Sequence, residues 1–183
     1  MTKHLPSEIK TKFDKTYLLR SFDLEDALLL QRFYSQIAEE TTHTMHHKEK
    51  VISLQALSDR IKQTSESISD AYLGVFDKDK IIAVLYFRVP MPDHPWVKHI
   101  AEFGIMVLEE YSNCGIGSKL LGNVENFAMS SSVTKIEAKV RTSNERAKAL
   151  YKKFGYEIEG LRKNAAFING QYEDELYVAK IFK

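Results

Sequence analysis

Apolar residues along the chain switch between two periods, and the switches outline its elements. Leu24, Leu28, Leu29, Phe33 and Ile37 recur at helical spacing behind Asp23, whose carboxylate suits a helix start. Leu54, Leu57 and Ile61 predict a second helix over 53–67. Before it lies a polar loop over 43–50. Two runs rich in β-branched and aromatic residues, 71–76 and 81–89, flank Asp77-Lys78-Asp79-Lys80 and read as a hairpin, with a short strand over 17–20 ahead of them. Pro90, Pro92 and Pro95 forbid regular pairing, so 90–97 is a surface connection and 99–107 the next strand.

The second half repeats the alternation. Ile116, Leu120, Leu121, Val124 and Phe127 predict a third helix. Ile136, Ala138 and Val140 alternate with Lys135, Glu137, Lys139 and Arg141 as a half-buried strand. A short helix carries Ala147, Leu150, Tyr151 and Phe154 on one face and ends at Gly155. Its start fits a capping box, with Thr142 receiving the N–H three residues on and Glu145 reaching back. A strand over 156–163 follows, then a hairpin of 165–168 and 171–181 across Asn169-Gly170. The pattern is α/β without internal repeat. Its length suits one buried core, with 16–183 as a single domain and 1–15, polar and carrying Pro6, as a loosely ordered N-terminal extension.

Composition narrows the function. Basic residues number 26 against 25 acidic, so no charge excess argues for nucleic acid, and the expected partner is a small molecule or peptide. No apolar run approaches a membrane span, and the first residues carry Lys, Glu and Asp where a secretory leader needs an apolar centre. A cytoplasmic protein without a membrane partner is expected. Cys114 is the lone cysteine, which excludes an internal disulfide and a multi-Cys metal site. His43, His46 and His47 near Glu39 and Glu40 match no standard ligand spacing, so no metal is expected.

The stretch richest in chemistry is 105–121, where an apolar strand enters a polar loop and then a helix. Gly115 and Gly117 let the backbone approach a ligand, and the new helix offers unpaired N–H groups at its positive end. A Walker A loop is excluded, because no Gly stands four residues before a Gly-Lys-Ser/Thr run. The dinucleotide fingerprint also fails, since Leu120 occupies the place of the third glycine. Two readings remain: ordinary turn chemistry, or a pyrophosphate loop made by main chain.

A second stretch, Asn144, Ala147, Leu150, Tyr151, Gly155 and Tyr156 in N-x-x-A-x-x-L-Y-x-x-x-G-Y, joins the first. Together they resemble the signature of the GNAT superfamily of acetyl-CoA-dependent N-acetyltransferases. The run 167–172, Phe-Ile-Asn-Gly-Gln-Tyr, is most similar to the polyamine and ribosomal-protein acetyltransferase branches. The resemblance implies a central twisted mixed sheet, splayed between its fourth and fifth strands and flanked by about four helices. It also implies acetyl-CoA as co-substrate, cradled by Ser112, Asn113, Cys114, Gly115, Ile116, Gly117 and Ser118, with Ser112 standing where the family usually has Gln or Arg. Met106 and Val107 would offer main-chain groups to the pantetheine arm and acetyl carbonyl. Asn144 would bind the coenzyme or brace the splayed strand, or be a simple helix cap, and Ala147 would contact the coenzyme.

On its helix alone Tyr151 reads as a packing residue, but the resemblance implies that it is the general acid, and a phenol with a pKa of about 10 stays protonated at neutral pH and can protonate a departing thiolate. Glu102, among the apolar Ala101, Phe103, Gly104 and Ile105, is expected to be buried and either a base for the ammonium or a paired structural carboxylate. Glu39 and Glu40 are placed beside the acceptor by the same resemblance. Cys114 is either a turn filler or an acyl-carrying thiol. The expected activity is acetyl transfer to a primary amine by direct attack in a ternary complex, the acceptor a polyamine or amino-acid-like amine. The rivals are a protein N-terminal acetyltransferase of the ribosomal-protein type and a catalytically silent acyl-CoA-binding module. The terminal hairpin permits a homodimer.

Overall fold

Ile9, Tyr17 and Leu19 are buried while their neighbours Glu8, Thr16 and Leu18 face solvent. This period-two pattern pairs β1 (Ser7–Lys10) antiparallel with β2 (Thr16–Ser21), Ile9 opposite Tyr17. The computed structural model describes residues 6–182. Part of the segment expected as a loose extension is therefore an edge strand, because Ile9 finds an apolar place that its polar neighbours conceal in the sequence; positions 1–5 lie outside the described residues.

Beyond β2, the elements are α1 (Ala27–Glu40), α2 (Leu54–Glu66), β3 (Ala71–Asp77), β4 (Lys80–Arg88), β5 (Ile100–Val107), α3 (Ile116–Met129), β6 (Lys135–Arg141), α4 (Glu145–Lys153), β7 (Glu157–Ile168) and β8 (Gln171–Ile181). Single 3-10 turns, Leu24–Asp26 and Glu109–Tyr111, precede α1 and follow β5. The chain forms two units. One comprises the chain up to Arg88 with Gly104–Val124, and the other Val89–Phe103 with the chain from Glu125.

In the first unit the strands run β1-β2-β3-β4-β5. Its core joins Leu30, Phe33, Tyr34 and Ile37 of α1, Leu57 and Ile61 of α2, and Tyr72, Phe76 and Val84 of the strands. Each large apolar side chain buried this way stabilises the fold by roughly 1.5–3 kcal/mol. The inward face of α1 differs from the sequence expectation: Leu24 and Leu28 are exposed, while Leu30 and Tyr34 are buried. The cause is the 3-10 turn, which delays α1 to Ala27 and rotates its apolar stripe. There Arg20 holds Asp26 through both guanidinium nitrogens, at 2.5 and 2.9 Å, and Asp26 accepts from the Asp23 amide at 2.8 Å.

In the second unit the order is β5-β6-β8-β7, antiparallel at β6–β8 and β8–β7 and parallel at β5–β6. The parallel register runs over Ile100, Ala101 and Glu102. β5 thus gives its first half to this unit and its second half, from Gly104, to the other. The expected mixed sheet with four helices is present, although the added β1 makes the strands expected as fourth and fifth the fifth and sixth. Asn169 and Gly170 both lie at positive φ, 51° and 81°, as a two-residue β7–β8 turn requires. Among the described residues no helix is long and apolar enough to cross a membrane.

Candidate functional site

The loop between β5 and α3 belongs wholly to the first unit. Leu108, fully buried, donates its amide to the Ile82 carbonyl at 3.0 Å and anchors the end of β5 to β4. The next amide, of Glu109, donates to Glu40 Oε2 at 2.8 Å, and Tyr111 donates its hydroxyl to Asp77 at 3.0 Å. Burial, then that bond and charge from Asp77, push the Tyr111 phenol up to about 12. From here the chain turns through Asn113 and Gly115, both at positive φ, 59° and 99°, into α3. The first helical bond is from Lys119 N–H to the Gly115 carbonyl. Among the described residues the amides of 113–118 have no hydrogen-bond acceptor within the protein, so six consecutive donors run from the loop into the first turn of α3, at the positive end of its dipole.

Side chains contribute little to this cradle. The Ser112 hydroxyl donates to the Leu108 carbonyl at 3.3 Å, and the Cys114 thiol, buried, points at the Tyr111 carbonyl. Cys114 is thus turned inward, which favours the turn-filler reading over an acyl-carrying thiol. Lys12 is a contributor that sequence reasoning missed. Its amide donates to the Cys114 carbonyl at 3.0 Å, and its ammonium lies 3.4 Å from the Asn113 carbonyl. The polar segment after β1 therefore straps the loop and sets a cation beside it; nothing in the local sequence signals a contact 101 residues away.

Met106 and Val107 are half-buried near the end of β5. The two acidic residues expected near the acceptor have other partners. Glu39 pairs with Lys48 at 2.5 Å, and Glu40 accepts from Glu109 N–H and from Gln36 Nε2 at 2.7 Å. Across the same unit, Tyr34 and Tyr72 share a buried hydroxyl–hydroxyl hydrogen bond, and the His46 ring stacks on Tyr34 at 4.0 Å. Arg60 lies over the Tyr72 ring at 4.6 Å and the Tyr86 ring at 5.6 Å. Arg60 follows Leu57 by three residues on the buried face of α2, the one signal by which the sequence marks it.

The other expected residues lie in the second unit. Asn144, not Thr142, caps α4: its Oδ1 accepts the Ala147 amide at 3.1 Å, whereas the Thr142 amide is taken by the Asp174 carbonyl on β8. A tertiary strand contact outcompetes the local capping box. Tyr151 is buried, its ring edge-on to Phe103 at 5.7 Å and 5.6 Å from Tyr156. Burial foremost, then the Glu125 charge, raises the Tyr156 phenol, whose buried hydroxyl has no hydrogen-bond partner among the described residues. Glu102 is half-buried rather than buried, since residues on alternating faces of β5 cannot all turn inward; it stands in register with Glu137, which Lys135 pairs at 2.7 Å.

Comparison with known proteins places this geometry. A family model described as the acetyltransferase (GNAT) domain matches residues 19–177. The chain is 35% identical over 100 residues to the L-amino acid N-acetyltransferase AaaT of Escherichia coli (strain K12), covering 52% of this chain and 60% of that protein. It is 28% identical over 108 residues to the ribosomal-protein-serine acetyltransferase of the same organism, covering 58% of each. The matches thus span about three fifths of these curated relatives. Among solved structures, a GNAT-family acetyltransferase from Streptococcus pneumoniae superposes with a TM-score of 0.84 at 25% identity, over 91% of this chain and 99% of that one.

Proposed function

Since the chain belongs to the acetyltransferase (GNAT) family, we propose that it transfers an acetyl group from acetyl-CoA to the primary amine of a small acceptor by direct attack in a ternary complex. The observation that carries this reading is the run of unpartnered amides over 113–118, from the loop into the first turn of α3. Six consecutive unpartnered N–H groups at a helix start fit a pyrophosphate, and they need no long side chain at Ser112. Lys12 adds a positive charge at the rim of the same loop.

Bound acetyl-CoA supplies the acyl group as a thioester. The second half of β5, with Met106 and Val107, is the segment assigned to the pantetheine arm and acetyl carbonyl. Tyr151 is assigned as general acid: amine nitrogen bonds to the acetyl carbon, the carbon–sulfur bond breaks, the phenol proton goes to the sulfur, and the proton shed by the acylated nitrogen restores the phenol. A half-buried Glu102 suits removal of the ammonium proton through water better than by direct contact. Asn144 orders the start of α4 and so the helix that carries Tyr151.

The acceptor is bracketed by the two curated relatives, one named for free amino acids and one for a ribosomal protein. The test is coenzyme A release from acetyl-CoA with polyamines, amino acids and short peptides as acceptors, against a no-acceptor blank that accounts for Cys114 and thiol reagents. Turnover confined to small amines is expected. Tight acetyl-CoA binding without turnover on any amine would replace this reading with a silent acyl-CoA-binding module, and turnover on peptides alone would replace the small acceptor with a protein N terminus.

A further inference from the structure

We propose that the acceptor carries a carboxylate beside its amine, as an α-amino acid does, and that the Arg60 guanidinium binds it. The inference rests on the N-acetyltransferase reading above and adds the acceptor class and the residue that selects it.

Arg60 is half-buried on α2, and what holds it is aromatic: the faces of Tyr72 and Tyr86 at 4.6 and 5.6 Å. No carboxylate pairs with it among the described residues, and the adjacent Asp59 is taken by Gln55 Nε2 at 2.8 Å. Ring faces orient a guanidinium but do not neutralise it, so a partly desolvated cation remains without a counterion. A ligand carboxylate would meet the planar fork of the guanidinium with two parallel hydrogen bonds. The described neighbours facing it supply no competing anion. Tyr34 and Tyr72 are hydrogen-bonded to each other, and burial first, then the Arg60 charge and that of His47, lowers the pKa of His46 to about 4, leaving it neutral at pH 7.

The platform also stands at the right strand. Tyr86 packs against Gly104, where a Cβ would overlap its ring, and Gly104 is two residues from Met106 on β5. The Tyr86 ring thus connects the cation to the strand assigned to the acetyl group, in the first unit's part of β5. A polyamine would bring a second positive charge toward Arg60. Glu39 and Glu40, the carboxylates expected to draw a cationic acceptor, are engaged by Lys48 and by the Glu109 amide.

The experiment compares, on the full-length protein, kcat/KM for L-amino acids, their α-amides, spermidine and short peptides, with Arg60→Gln and Arg60→Lys alongside. For the wild type, at least one amino acid is expected to exceed its own amide about 100-fold, the scale of a lost charge-paired contact. Arg60→Gln should erase that preference by raising the KM for the acid, leaving the KM for acetyl-CoA within about twofold; Arg60→Lys should restore part of it. The wild-type acid-to-amide ratio needs no variant and decides the matter even if Arg60→Gln folds poorly. Turnover in which amides, peptides or spermidine match or exceed the acids overturns the inference and leaves the N-acetyltransferase reading intact. Absence of coenzyme A release with every acceptor overturns both.

Discussion

In the loop over 112–118 the groups on offer are main-chain amides, whereas on α4 they are the side chains of Asn144 and Tyr151. Both belong to the expected acetyl-transfer machinery, but they answer differently to substitution. A cradle of amides depends on backbone angles and accepts Ser112 where the family usually has Gln or Arg. A phenol on a helix depends on one residue being Tyr and on its Phe103 and Tyr156 neighbours placing it. The side-chain region therefore carries a complete sequence signature and the main-chain region a partial one.

Variants can break this contrast, and the largest effect is expected on α4. Tyr151→Phe should lower kcat by about 100-fold or more with the KM for acetyl-CoA little changed, the size of a lost general acid. Steady-state rates decide it, and undiminished turnover would leave Tyr151 a packing residue. Next comes the loop backbone. Gly115→Ala forces a side chain into φ near 99°, at a strain of about 1–2 kcal/mol, and should weaken acetyl-CoA binding about tenfold, measured by calorimetry. Its Cβ would only touch Lys12 at an ordinary 3.5 Å, so the loss would report backbone conformation rather than a clash. Ser112→Ala, by contrast, should change that affinity less than about twofold, because main-chain donors do the holding; a larger loss would make the loop as side-chain-dependent as α4.

Smaller effects sharpen the picture in the first unit. Lys12→Ala should weaken acetyl-CoA a few-fold at low salt, and the difference should shrink as salt rises, as for a solvent-screened charge. A loss insensitive to salt would mean that Lys12 acts only as a strap. His46→Asn probes the aromatic cluster. The folded pKa of about 4 lies below the ordinary value near 6.5, so the unfolded chain takes up the proton first and stability falls as pH drops through that window. Urea unfolding at pH 7.5 and 5.0 should show a larger loss for the wild type than for the variant. Equal losses would place His46 in solvent.

Much of the fold was legible because most elements obey local rules. Leu120, Leu121 and Val124 are buried as their spacing predicts, and Asn169-Gly170 makes its turn. The misreadings share a cause. Leu28 looked like core and Leu30 did not, because Arg20 and Asp26 stabilise a 3-10 turn that shifts the phase of α1. Thr142 looked like the cap of α4, but Asp174, 32 residues away, takes it. Glu102 looked buried among apolar neighbours, but strand alternation leaves it half-buried. At the candidate site, Tyr151, Asn144 and the glycine loop were legible as motif residues; Lys12 and Arg60 were not, since each takes its meaning from partners remote in the chain.

The order of strands and helices, the glycine turn before α3 and the identity of the phenol on α4 are properties of the sequence by itself, because periodicity, turn chemistry and residue type act within a few residues. Tertiary structure alone decided that the segment after β1 straps the loop, that Glu39 and Glu40 are already engaged, and that Arg60 rests on two tyrosine faces. Those are pairings of charge and ring across tens of residues, and their energies exist only once the chain has brought the partners together.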